Sequence, residues 1–183
     1  AKQMGVPIAK LICASNENKV LFDFFETGTY DKNREFVLTS SPSMDILISS
    51  NLERLIYLIT GEDSDKTKEL MAGLKSGGSY TVTDGMRSKL ADFAAGFASE
   101  EETAACIRRI YDKTGYVMDT HTAVAAHVCE QYRSRSADTR KCVVASTASP
   151  YKFVKSVMTA IDGKYQSEDE FALLEELKRV SGV

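Results

Sequence analysis

The sequence contains no apolar run approaching the roughly 20 residues that a membrane-spanning helix needs, and no basic stretch leading into an apolar one of the kind that marks a secretory leader. It also lacks an excess of one charge. Lys and Arg number 23 against 26 Asp and Glu, a net charge of -3, and the basic residues are scattered, which argues against an electrostatic nucleic-acid surface. Neither a membrane nor a nucleic acid is therefore an expected partner, and a cytoplasmic setting with small-molecule or protein ligands is. No CxxC pair occurs among the four cysteines, Cys13, Cys106, Cys129 and Cys142; three of them lie in apolar runs and read as small core residues. His121 and His127 fall six apart on a predicted helix and hence on different faces, so no metal site is expected. Repeats, low-complexity tracts and long linkers are missing too, and a single domain is the default for 183 residues.

What is present is an alternation of strand and helix signals in a chain 43% hydrophobic and 27% charged. Lys10 to Ala14 (KLICA), Phe36 to Leu38, Tyr80 to Val82 and, most clearly, Cys142 to Ala145 (CVVA) read as short strands. Helical periodicity lies between them. Ser50 with Glu53, Ser99 with Glu102 and Ser167 with Glu170 match the capping box, which starts a helix by satisfying its exposed amides. These predict helices from about Asn51 to Thr60, from Ser99 to a stop at Gly115 with Ile107, Ile110 and Tyr111 on one face, and one after Ser167 with Phe171, Leu174 and Leu177 inward. Further helices are expected over Asn16 to Glu26, Asp65 to Lys75, Gly85 to Phe97 and Thr120 to Arg133, with a turn at Gly77-Gly78 and a mobile joint at Asp112 to Tyr116. The fold class is therefore α/β, three layers of helix, sheet and helix around a mainly parallel sheet. Ala1 to Met4, closed by Gly5 and Pro7, read as the last turn of a helix that no four-residue segment nucleates alone, so the coding sequence is expected to begin upstream.

Two places combine small hydroxyls with a strand's carboxyl end, where open α/β sheets bind ligands. In the first, Val143-Val144-Ala145 runs into Ser146-Thr147-Ala148, and Ser149-Pro150 then has the pattern of a helix start. From spacing alone, structural roles account for it better: Ser149 caps a helix and Thr147 fills a tight turn. In the second, Val37-Leu38-Thr39 leads through a serine-rich turn with Pro42 to Asn51 and Arg54 in the first turns of a helix, a ready anion site where an arginine clamps phosphate. There the apolar residues Met44, Leu47, Leu52, Leu55 and Ile59 are core, while Ser41, Asn51 and Arg54 stay open to either reading. Asn16 and Asn18, after the first strand, read as an Asx turn capping the next helix.

Four segments, in order, resemble threonine synthases: LICASNENKVLFDFFETGTYD from Leu11, SSPSMDILISSNLERL from Ser40, TGYVMDTHTAVAAHV from Thr114 and VVASTASPYKF from Val143. The resemblance implies the fold type II architecture of pyridoxal-phosphate enzymes, shared with the tryptophan synthase β-subunit, and conversion of O-phospho-L-homoserine and water to L-threonine and phosphate. It implies that the Thr147 hydroxyl meets the cofactor's pyridine nitrogen and that Ser41, Asn51 and Arg54 contact substrate or its phosphate. The family's Schiff-base lysine and its glycine-rich GNFGN loop lie upstream of the segments found here. The resemblance thus makes residues 1–183 a C-terminal fragment of the pyridoxal-phosphate-binding domain, with no catalytic residue to nominate, inactive alone and without bound cofactor. Many family members have histidine where Ser149 stands, and DPHTAVG-like versions of the third segment differ at Thr120 and Ala126. The alternatives are another fold type II lyase, such as a threonine dehydratase or cysteine synthase, which the SSPSMD and SSN-x-ER segments disfavour, and a non-catalytic interaction domain.

Overall fold

Leu11–Ser15 (β1) and Phe93–Phe97 (β4) form a parallel pair, Leu11 beside Phe93 and Ser15 beside Phe97. This computed structural model describes residues 1–167 and 169–182, with nothing assigned to the side chain at 167. Adjacent strand residues point to opposite faces, and β4 shows what covers each. Phe93 and Phe97 pack on Phe25 and Phe22 of α1 (Val20–Thr27), with ring centroids 5.2 and 5.1 Å apart. Gly96, between them, abuts Val128 and Gln131 of α6 (Thr120–Ser136). Helices therefore cover both faces of the parallel pair, and the expected helix, sheet and helix layers are present.

A smaller antiparallel pair, Thr29–Asp31 (β2) with Ser79–Thr81 (β3), sits apart and stacks Tyr30 on Tyr80 with centroids 5.5 Å apart. Its apolar side joins one core: Phe24 of α1, Leu52, Ile56 and Ile59 of α2 (Leu52–Thr60), Leu70 and Leu74 of α3 (Ser64–Ser76), and Met86 of α4 (Asp84–Ser88). A second core gathers Ile107 of α5 (Glu100–Thr114), Ala123 of α6, Val157 and Met158 of α7 (Val154–Ile161), and Leu173 and Leu177 of α8 (Glu170–Ser181). Among the described residues no helix is long and apolar enough to cross a membrane.

Several helix starts follow the sequence closely. Ser99 and Glu102 form the complete capping box of α5, which ends at Gly115 in the left-handed conformation (φ 71°). The segment expected to be a joint, Asp112 to Tyr116, is instead the last turn of α5 and its cap. At α2 the capping box of Ser50 and Glu53 is not formed. Asn51 is already helical and Leu52 N donates to Ser49 O, so the chain enters through overlapping tight turns that leave Ser50 exposed. At α8 the cap is Asp169, which accepts from Phe171 N; the side chain of Ser167, expected to cap this helix, lies outside what the structure describes. That start sets the inward face as Leu173 and Leu177; Phe171 is 79% exposed.

Three strand or helix expectations change for identifiable reasons. The span from Gly85 to Phe97 is not one helix: α4 stops at Ser88 and Phe93–Phe97 becomes β4, because pairing with β1 and packing on α1 outweigh the helix propensity of its alanines. Phe36 to Leu38 has no regular structure and pairs with no strand among the described residues. The side-chain amide of Asn18 takes both backbone groups of Val37, donating to its O (2.9 Å) and accepting from its N (3.0 Å), as a neighbouring strand would. Cys142 to Ala145 has no regular structure either, with Val143 93% exposed, and no strand among the described residues offers it a ladder. Cys142 is accordingly exposed rather than core, its Sγ 2.7 Å from that of buried Cys129; burial pushes the Cys13 and Cys129 thiols up to about 11 and about 12.

Candidate functional site

The parallel pair ends at Ser15 and Phe97, and a cluster of polar side chains gathers just beyond Ser15. Asn16 and Asn18 make the expected Asx turn, Asn18 N donating to Asn16 Oδ1 at 3.1 Å, but it does not cap α1, whose N-cap is Lys19. Both amides are buried and turn instead towards residues 39–45. Asn16 Nδ2 donates to Thr39 Oγ1 (2.9 Å), Ser41 Oγ (3.1 Å) and Asp45 Oδ1 (2.7 Å), and Asn18 Nδ2 reaches Asp45 Oδ1 at 3.1 Å. Asp45 also accepts from Thr39 Oγ1 (2.7 Å) and Thr39 N (3.0 Å). Since the Thr39 hydroxyl proton goes to Asp45, Thr39 Oγ1 accepts from Ser41 Oγ at 3.1 Å, and the Ser41 hydroxyl, on a fully buried residue, is committed inside the cluster.

The same loop is held from its other side by the N-termini of two helices. Glu100, in the first turn of α5, accepts from Ser40 N (3.0 Å) and Ser40 Oγ (3.2 Å). Thr120 Oγ1, at the start of α6, donates to Ser40 O at 2.8 Å, and His121 Nε2 accepts from Ser43 N at 3.1 Å. Accepting there places the imidazole proton on Nδ1, 3.3 Å from Asp119 Oδ1. Asp119, almost wholly buried, caps α6 through His121 N and Thr122 N and takes the Thr122 hydroxyl. With that proton given to Asp119, Thr122 Oγ1 accepts from Ser146 Oγ at 2.9 Å. A hydrogen-bonded path thus joins β1's end, the 39–45 loop and the α6 cap, and separately ties Ser146 to that cap.

Thr147 is exposed and its hydroxyl has no hydrogen bond among the described residues, so it has a donor to offer a ligand. Ser149 accepts from Tyr151 N and starts a 3-10 turn, the structural role the sequence allowed it. Asn51 and Arg54 lie elsewhere, exposed at the start of α2. Tyr30 fixes that start: its hydroxyl donates to Leu47 O (3.0 Å) and accepts from Ser49 N (2.8 Å). Burial raises the Tyr30 phenol's pKa, so it stays a neutral donor.

Ser41 therefore joins Asn16 and Asn18, while Thr147 stands near the α6 cap and Asn51 with Arg54 on α2. Asp45, Thr39, Glu100, Thr120, His121 and Asp119 were not singled out in the sequence as site residues; only Asp119, immediately before a helical run, carries a recognisable cap signal. His127 turns to Gln131 and Glu102, away from His121, and the described residues hold no group of three metal-binding side chains. A cavity of about 510 Å³ beside β4, lined by Phe22, Phe97, His127 and Arg135 among others, contains none of the cluster's residues.

The threonine synthase C-terminal family model matches residues 122–182. Threonine synthase of Saccharomyces cerevisiae is 38% identical over 200 aligned residues, covering 99% of this chain and 38% of the yeast protein. Human (Homo sapiens) threonine synthase-like 1 is 42% identical over 170 residues, covering 92% of this chain and 22% of that protein. A crystal structure of PLP-bound threonine synthase from Brucella melitensis aligns with a TM-score of 0.81 at 35% identity, over 100% of this chain and 43% of that one. The chain is homologous to the C-terminal region of threonine synthases. It spans less than half the length of each of these proteins. Full-length members of the threonine synthase family are lyases, and the likeness over the whole chain fits the α/β layers seen here better than it fits a free-standing interaction domain.

Proposed function

We propose that the complete protein converts O-phospho-L-homoserine and water to L-threonine and phosphate with pyridoxal phosphate, in the cytoplasm, and that residues 1–183 form one wall of its active site within the cofactor-binding domain. The observation that carries this reading is the polar cluster at the carboxyl end of β1, set where open α/β sheets bind ligands, on a chain that aligns throughout with a PLP-bound threonine synthase. No nucleic acid or membrane takes part.

The donor set suits the cofactor. Thr147 would present its uncommitted neutral hydroxyl to a pyridine nitrogen while Ser146 is tied back to Thr122, so this exposed segment offers one uncommitted hydroxyl, not two. A neutral partner does not force that nitrogen to stay protonated. Pyridoxal phosphate, when bound, supplies the electron sink that lets protons leave the carbons beside the amino group. The remaining work falls to protein groups. Asn51 and Arg54, exposed on a helix start, bind the substrate phosphate, Arg54 through its forked donors. Ser41, its hydroxyl inside the cluster, contributes through the loop it holds. The base and the cofactor-anchoring lysine come from outside this chain.

The test is phosphate release by the complete protein. Phosphohomoserine should give threonine and phosphate in equal amounts, serine and threonine should not be consumed, and residues 1–183 alone should release no phosphate. Turnover of serine or threonine in preference to phosphohomoserine, or phosphate release by the isolated chain, would overturn the assignment. Within the complete enzyme, Thr147→Ala should slow turnover roughly tenfold, the loss of one hydrogen bond to a polar ring, and shift the cofactor's visible absorbance while the circular dichroism is kept. Unchanged kinetics and spectrum would remove Thr147 from the site.

A further inference from the structure

The geometry points to Asp45 as a positioning residue that sets the substrate-facing loop, residues 39–45, by fixing the direction of every amide in the cluster; this rests on the reaction proposed above. The Asp45 carboxylate is half-buried, and the donors it faces are all neutral: Asn16 Nδ2, Asn18 Nδ2 and Thr39 Oγ1 on Oδ1, and Thr39 N on Oδ2. An ionised carboxylate only accepts hydrogen bonds, whereas each asparagine presents one donating and one accepting end. One acceptor-only group therefore decides the rest. It turns the Asn16 NH2 towards residues 39–45, which leaves Asn16 Oδ1 for Asn18 N and Asn18 Nδ2, and leaves Asn18 Oδ1 for Val37 N. Val37, Thr39 and Ser41 are thereby placed from β1's end, and the opposite side of the loop is placed from α5 and α6 through Ser40 and Ser43.

An asparagine in place of Asp45 cannot reproduce this, whichever way it turns. With its NH2 in place of Oδ1 it meets the NH2 groups of Asn16 and Asn18; in place of Oδ2 it meets the Thr39 N–H. The second clash is the smaller, and it releases the loop at its first residue. The fold itself does not depend on the cluster, because the two apolar cores lie on other elements. A reciprocal exchange, Asn16→Asp together with Asp45→Asn, repairs the larger part of the arrangement: the new amide donates to the new carboxylate, its carbonyl takes Thr39 N, and Thr39 Oγ1 reverses its roles, while Asn18 Nδ2 loses its acceptor at residue 45 and keeps Val37 O and the residue 16 oxygen.

The experiment uses the complete enzyme as wild type, Asp45→Asn and the Asn16→Asp/Asp45→Asn double variant. Asp45→Asn should raise KM for phosphohomoserine roughly tenfold with kcat within about threefold, leave the cofactor titration unchanged, and expose the amides of Thr39, Ser41 and Ser43 to hydrogen exchange while core amides stay protected. The double variant should recover part of KM and of that protection, clearly beyond the single variant, the contact of Asn18 with residue 45 staying unmade. Unchanged KM in Asp45→Asn overturns the proposal, and so does a parallel loss of substrate affinity, kcat and melting temperature that the exchange does not repair, since that marks a merely structural group. Should the wild-type enzyme not act on phosphohomoserine, the proposed reaction fails alone; hydrogen exchange in the cofactor-free protein then decides the loop-setting role, protection retained in Asp45→Asn overturning it.

Discussion

Replacing Phe24 with alanine should destabilise the complete protein by ~3–5 kcal/mol, the range for deleting a buried phenyl ring where the surroundings relax only partly. Phe24 has no exposed surface, and its ring meets three others, Phe25, Tyr30 and Tyr80, with centroids at 5.5, 6.0 and 6.3 Å. Those rings belong to α1, β2 and β3, so the cavity would sit where a helix meets both strands of the antiparallel pair. None of the three can swing into it cheaply: Tyr30 is held by Leu47 and Ser49, Tyr80 is stacked on Tyr30, and Phe25 is stacked on Phe93. A loss of this size is a large fraction of the ~5–15 kcal/mol that separates folded from unfolded in most domains. Denaturant unfolding of the complete protein measures it, with Phe171→Ala as control. Phe171 is 79% exposed, and its truncation should stay within ~0.5 kcal/mol. Equal shifts for the two variants would mean that the packing around α1 is wrong.

Local chemistry made much of this fold legible. Ser99, Glu102 and Gly115 bracket α5 because cap signals act over a few residues and need nothing from the rest of the chain. The KLICA strand was legible for a related reason, a short apolar run bounded by polar residues. What failed was decided at long range. The Ala-Ala-Gly of Phe93–Phe97 becomes a strand only because β1, some eighty residues earlier, lies alongside it. Conversely Cys142 to Ala145 has strand composition and no partner among the described residues, and composition alone closes no ladder.

The site was legible in part for the same reasons. Ser41, Asn16 and Asn18 stood out as small polar groups at strand ends, and the fold brings those three together. Thr147 carried its signal in the motif around it; the structure shows it exposed, its hydroxyl without a hydrogen bond among the described residues. Asp45 gave no such signal: a single aspartate among apolar residues reads as a solvated charge, and only the folded loop shows it taking hydrogen bonds from Asn16, Asn18 and Thr39. Nor does sequence spacing reveal that an asparagine side chain can stand in for a neighbouring strand, as Asn18 does at Val37.

Gly96 is where layer spacing rests on one missing atom, and Gly96→Ala should cost ~1–3 kcal/mol by overpacking. Gly96 sits at an ordinary strand φ, so the requirement is space, not backbone freedom. A Cβ there would lie 2.7 Å from Val128 Cγ1 and 3.2 Å from Gln131 Oε1, both on α6. Gln131 can turn away, being long and only half-buried; Val128 cannot, since it is fully buried and a β-branched side chain in a helix is confined to essentially one rotamer. The conflict must therefore be met by moving α6 off the sheet, and α6 carries Thr120, His121 and the Asp119 cap that hold Ser40, Ser43 and Ser146. A stability defect at Gly96 should consequently come with weaker substrate binding at a loop it does not touch. Val128→Ala tests the cause. It removes the clashing methyl, so Gly96→Ala should cost less in that background than alone, with a coupling of ~0.5–3 kcal/mol between the two positions. Strict additivity in denaturant unfolding would show that β4 and α6 do not meet as closely as these atoms require.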